Sequence, residues 1–237
     1  MFAASAGRFA RDALALGEGE VCAAFRRSFY LRFRDGRYAC IGDASLGRGP
    51  LNALVDDFQP AALGARVAVS VGPVWRPDAL PVKFVSVADA RVPDEGLGCL
   101  LAGQYNALAT HAQPALEALE EWLRHGLAVP NPAAALIGLG PGLTPSGDDY
   151  LGGMLIALHA LARDAQAGAL WRWLQPRLAA ATSAISAAHL AAAAEGEGHE
   201  ALHRVLQGTA PPSALDAVGH CSGWDALAGA AAVLRAS

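Results

Sequence analysis

The stretch Gly138-Leu-Gly-Pro-Gly-Leu-Thr-Pro-Ser-Gly-Asp-Asp149 runs directly into Tyr150-Leu-Gly-Gly153 and a series of small apolar residues. Its three alternating glycines, Gly138, Gly140 and Gly142, let the backbone turn and pass close to a ligand. Thr144 and Ser146 add hydroxyls, and Pro145 stiffens the approach to Ser146. The spacing predicts Ser146 as the cap of a helix and Asp149 as its third residue, a capping box with Asp in place of Glu. A dinucleotide fingerprint would need a third glycine at a spacing that is absent, and a P-loop would need a lysine that this loop lacks. A helix N-terminus behind a glycine-rich loop, with Gly147 leaving its backbone open, is an anion site. Asp148 and Asp149 would repel a bare anion, however. A bridging Mg²⁺ resolves the conflict, since that ion uses one or two carboxylates together with substrate oxygens. So does a general-base role for one aspartate, or a ligand carrying an amide or amino group. The same residues also suit a purely structural role, with glycines for a tight turn and acids favouring the helix dipole.

Working outward, the motif has an echo. Ser222-Gly-Trp-Asp-Ala-Leu-Ala-Gly229 aligns with Ser146-Gly-Asp-Asp-Tyr-Leu-Gly-Gly153 as S-G-x-D-x-L-x-G, 76 residues further on. A capped helix requires neither the glycine after the serine (Gly147, Gly223) nor the glycine four residues after the aspartate. Gly153 and Gly229 leave a helix face without bulk, where another backbone can approach. We expect two related helix starts facing each other across one site, with Asp225 the counterpart of Asp149. His220, just before the second copy, is a titratable neighbour. The adjacent Cys221 reads as a small buried residue.

Composition changes near residue 96. Before it, strands are expected at 21–33, 37–41, 66–71 and 82–87, with a hairpin turn at Asp35-Gly36 and short helices at 3–16 and 50–58. After it, helices are expected at 97–124, with Leu116, Leu119, Trp122 and Leu123 facing inward. Others follow at 148–163, 168–189 with a break at Pro176, 200–206, 212–218 and 224–235. The fold class is α+β: a β-rich N-terminal part (1–95) and an α-helical part (96–237) that carries both Ser-Gly-x-Asp starts.

The whole chain has 237 residues, 53% hydrophobic and only 17% charged, which excludes a disordered polymer. The longest apolar run, Leu151–Ala162, is shorter than the roughly 20 residues of a membrane span. Net charge is −4 and the arginines are scattered, so no basic stripe for nucleic acid exists. Cys22, Cys40, Cys99 and Cys221 lie far apart, which argues against a zinc site or a disulfide framework. The N-terminus lacks a signal-peptide core, and a cytoplasmic protein is expected. His189 reads as a helix-packing histidine, and His199 and His203 as surface residues.

The run GLGPGLTPSGDD, and Gly219-His-Cys-Ser-Gly-Trp-Asp-Ala-Leu-Ala-Gly229 after it, resemble the two signatures of the AllH-type bacterial family, long catalogued as a domain of unknown function. Thr182-Ser183, Ser186 and Leu190 are similar to that family's middle region. The resemblance is sharp over roughly the C-terminal half. It implies a subunit of oxamate carbamoyltransferase in purine (allantoin) catabolism, working with two partner subunits to convert oxalurate and phosphate to oxamate and carbamoyl phosphate. It implies no assigned catalytic residues, and points only to 138–149 and 220–225. The residues are compatible with that chemistry. Asp148, Asp149, Asp225 and His220 are the catalytic candidates. Gly138, Gly140, Gly142, Thr144, Ser146, Gly147, Ser222 and Gly223 are the candidates for binding a small anionic substrate. Mg²⁺ is the cofactor this arrangement would admit. A free-standing Mg²⁺-dependent hydrolase or transferase, and a non-catalytic assembly protein, are the alternative readings.

Overall fold

The computed structural model describes residues 1–79, 81–82, 87, 90–126 and 128–237. The chain divides into two compact units, Met1–Asp78 and Ala79–Ser237, each with its own hydrophobic core. About half of the chain is helical and a smaller part is strand, segregated along the sequence, so the class is α+β.

In the first unit, β1 (Phe2–Ala3) pairs in parallel with β8 (Ser70–Val71). The larger sheet contains β2 (Ser5–Gly7), β3 (Gly19–Ala24), β4 (Ser28–Arg32), β5 (Tyr38–Gly42), β6 (Asn52–Leu54), β7 (Arg66–Val67) and β9 (Val74–Trp75) in the order β7-β3-β4-β5-β6-β2-β9. Asp35-Gly36 makes the expected turn: Gly36 has φ +86°, and the Phe33 N–H reaches the Arg37 carbonyl at 2.9 Å. The buried faces of Phe29, Leu31 and Ile41 pack with Ala10, Ala13 and Leu14 of α1 (Arg8–Leu14).

Three expectations change here. The helix expected at 50–58 is instead β6, because Leu51, Ala53 and Val55 are buried in alternation, the period of a strand. The helix expected from residue 3 begins only at Arg8, since residues 2–7 supply strand pairing to β8, β6 and β9. The 21–33 run folds back on itself as a β3–β4 hairpin, closed by a Phe25 N–H to Ser28 carbonyl bond of 2.8 Å. The strand expected at 82–87 lies mostly outside the described residues.

The second unit is helical. Asn106 caps α2 (Ala107–His125), accepting the Ala109 N–H at 2.8 Å, and the stripe Leu116, Leu119, Trp122 and Leu123 is buried as expected. α3 (Ser146–Ala160) is apolar almost all round, with Leu151, Met154, Leu155 and Leu158 at 0% exposure. An apolar run of that length that is too short for a membrane forms a core helix. Among the described residues no helix is long and apolar enough to cross a membrane. α4 (Asp164–Ala181), α5 (Ala184–Ala193) and α7 (Ser222–Arg235) pack against α3, and α6 (Glu200–Leu206) packs against α7. Pro176 does not break its helix; α4 runs through it to Ala181. The break falls at Thr182, extended at φ −141°, where Ser183 turns its hydroxyl to cap α5.

Candidate functional site

α3 and α7, the helices that follow the two motif copies, pack against each other more extensively than any other pair of elements. Their crossing is reciprocal. A Cβ built on Gly153 would overlap the carbonyl of Ala226, and one built on Gly229 would overlap the carbonyl of Tyr150. Ala226 is the counterpart of Tyr150 in the 76-residue echo, so each glycine receives the equivalent backbone of the other copy. The two helix starts lie together at this crossing: Thr144 Oγ1 and Ser222 Oγ are 3.1 Å apart, and Ser146 Oγ stands 3.8 Å from Cys221 Sγ.

The serines do not cap their helices. Pro145 and Cys221 occupy the cap positions, and Ser146 and Ser222 are the first helical residues, with no side-chain cap bond at either start. Their hydroxyls face across the crossing instead of back along their own helices. The expected capping box is therefore replaced by contacts between copies. The N–H groups of Gly147, Asp148 and Asp149 are donated to Leu139 and Pro145 carbonyls at 2.9–3.0 Å, and those of Gly223 and Asp225 to Val218 and Cys221 at 3.2 and 2.9 Å. Hydroxyls, rather than these amides, are the donors that the crossing presents.

The three aspartates have separate environments. Asp148 is buried with both oxygens engaged: Oδ1 accepts the Gly138 N–H at 2.8 Å, and Oδ2 accepts the Ser186 hydroxyl at 2.6 Å and the Thr182 hydroxyl. It straps the glycine-rich loop to α5. Asp225 is fully buried; its Oδ1 accepts the N–H groups of Leu97 and Gly98 at 2.6 and 2.7 Å. Gly96, at φ +68°, makes that approach possible, since a Cβ there would stand 2.5 Å from the Asp225 carboxylate. Asp225 Oδ2 and Asp149 Oδ2 are both buried without a hydrogen-bond partner among the described residues. Asp149 as a residue keeps some exposure, but this oxygen does not.

Burial, then the neighbouring Asp225 and Asp148, pushes the Asp149 carboxyl well above its ordinary range, against the moderating hydroxyls of Ser222 and Thr144. Burial also raises Asp225, opposed by Ser146, Cys221 and the Gly98 and Leu97 amides. The aspartate of each copy is thus moderated by the serine of the other. Cys221 is pushed up to about 12, by burial first and by Asp225 next, and is an unreactive thiol.

This stretch matches a known family. Residues 136–234, about two fifths of the chain, fit the family model of oxamate carbamoyltransferase subunit AllH. The AllH resemblance read from the sequence is borne out over those residues. The match opens at the end of the 3₁₀ segment Asn131–Leu136 and closes inside the last turn of α7, so it contains both motif copies and the Asp148 strap. No solved structure matches the chain.

The AllH region also holds the remaining candidates. Gly138, Gly140 and Gly142 all adopt positive φ and shape the loop ahead of α3. Gly147 and Gly223 let the helix starts sit against the carbonyls of Leu136 and Leu215. His220 is exposed, with Nε2 2.5 Å from Glu95 Oε2. His203 is half-buried rather than at the surface: its Nε2 accepts the Gly198 N–H at 2.9 Å, and burial lowers it to about 4. His189 is also lowered to about 4 by burial, as suits a packed histidine. Among the described residues, no group of three or more His, Cys, Asp or Glu side chains is placed to hold a metal ion. A Mg²⁺ site here would rest on Asp149 and Asp225 with the hydroxyls around them, which is within that ion's habits. Sequence reading missed Gly96, Leu97 and Gly98, the cradle of Asp225. The signal available was the pair of glycines flanking Leu97, immediately before the helical part.

Proposed function

We propose that the chain is a subunit of an oxamate carbamoyltransferase-like complex, cytoplasmic and part of allantoin catabolism, which passes a carbamoyl group between oxalurate and phosphate. Its small anionic substrate is held where α3 and α7 cross. The observation that carries this reading is the 3.1 Å contact between Thr144 and Ser222, which joins the two motif copies into one cluster inside the AllH region.

Carbamoyl transfer needs donors for charge developing on the carbamoyl oxygen, and little covalent help. Thr144, Ser146 and Ser222 are those donors. Asp149, with its carboxyl pushed up by burial and by its acidic neighbours, takes up a proton more readily than an ordinary aspartate, which eases the negative charge of the site. Asp225 is the better carboxylate of the two, since two backbone N–H groups stabilise its charged form. Asp148 is a positioning residue that acts through the loop it ties down. Asp149, Asp225 and the Ser146 and Ser222 hydroxyls would hold a Mg²⁺ ion, which would supply screening of the phosphate charge.

The test is reconstitution. The purified chain alone is expected to turn over little and to gain activity with its partner subunits. Asp149→Asn and Asp225→Asn are each expected to lower turnover of the assembled complex by about 100-fold or more while leaving circular dichroism unchanged. Robust turnover by the chain alone would overturn the subunit assignment, and full activity in both variants would overturn the site.

A further inference from the structure

We infer that the crossing of α3 and α7 recognises the primary-amide end of its ligand, with Asp149 and Asp225 as the residues that read the amide nitrogen. This rests on the function proposed above and adds the orientation of the ligand in that site.

The argument begins with unmet acceptors. Asp149 Oδ2 and Asp225 Oδ2 are both buried and without a partner among the described residues. A buried acceptor left unpaired costs free energy and calls for a donor. Asp225 Oδ2 is also fixed in direction, because Leu97 and Gly98 hold the other oxygen at 2.6 and 2.7 Å. A primary amide brings two N–H donors and no charge, one for each unmet oxygen. Its carbonyl needs donors in turn, and the hydroxyls of Thr144, Ser146 and Ser222 are at hand and can rotate. A bare oxyanion fits worse. It would stand beside two carboxyl groups, and the first-turn amides of Gly147, Asp148 and Asp149 that would normally greet it are already donated within the chain. The carboxylate end of a ligand such as oxamate would accordingly point away from the pair.

Oxamate and oxalate have nearly the same size and differ by one –NH₂ in place of –O⁻, so they are the probes. Titration calorimetry of the full chain near neutral pH is expected to show oxamate binding at least about tenfold tighter than oxalate. In Asp225→Asn an amide replaces the acceptor, and the preference is expected to fall to near parity or reverse. Circular dichroism and urea midpoints check that the variant is folded; if it is not, Asp149→Asn carries the same reading. Oxalate binding as tightly as oxamate, binding of neither, an unchanged preference in both variants, or a switch to oxalate when Mg²⁺ is added would each overturn the inference. A complex that transfers no carbamoyl group while its chain still prefers oxamate would sink the proposed reaction alone. An active complex without the preference would sink this inference alone.

Discussion

Asp148, Asp149 and Asp225 carry the same side chain into three different jobs, and the hydrogen-bond donors around each decide which. Asp148 has three donors and holds a loop. Asp225 has two donors on one oxygen and none on the other. Asp149 has no backbone donor on its carboxylate among the described residues and two acidic neighbours, so burial pushes its carboxyl well above the ordinary range. The sign of the resulting pH effect follows. A carboxyl raised on folding contributes stability that is fully present below the ordinary carboxylate range and is lost as pH rises through the raised value. Urea unfolding at increasing pH above the ordinary carboxylate range should therefore show wild type losing ground to Asp149→Asn, which cannot ionise. Parallel pH profiles for the two proteins would contradict the shift. Sequence reading had singled out all three acids by position, but could not rank them, because their donors come from Gly138, Thr182, Ser186, Leu97 and Gly98, up to 128 residues away.

At the scale of elements, the closeness of α3 and α7 depends on two glycines. Gly153→Ala or Gly229→Ala would drive a methyl into a backbone carbonyl that cannot rotate aside, and each is expected to cost about 2–3 kcal/mol in urea unfolding. Gly152→Ala is the control. A Cβ there would meet only Ala193 Cβ at 3.7 Å and Leu190 Cδ2 at 3.8 Å, which is ordinary contact. That variant should be neutral or gain up to about 1 kcal/mol from helix propensity. Equal losses at all three positions would mean that the crossing is not what the glycines serve. The echo made Gly153 and Gly229 legible as a pair. It did not make their partners legible, since the pairing of each with the other copy's backbone exists only after the helices cross. Local signals misled most where hydroxyls had better partners at long range: Ser146 left its expected cap for the other helix start, and Thr182 rather than Pro176 ended α4.

At the scale of the whole molecule, the two units have cores that share no residue, one built on Phe29, Leu31 and Ile41 and the other on α3 and its neighbours. Residues 79–237 alone are expected to keep helical circular dichroism and a cooperative thermal transition; a broad, non-cooperative melt would show that the unit depends on the first 78 residues. The 53% hydrophobic content, which first raises the question of a membrane, is accounted for in large part by α3 and the small-residue helices packed around it. By itself the sequence determined the α+β class, the Asp35-Gly36 turn, the inward stripe of α2 and the existence of two related helix starts, because each of these is written in periodicity or spacing within one element. Strand identity in the first unit, the cradle of Asp225, the strap of Asp148 and the exchange of serine and aspartate between copies were decided by tertiary structure alone. The reason is physical: burial and hydrogen-bond donors set what a carboxylate or a hydroxyl does, and both arrive from parts of the chain that only folding brings together.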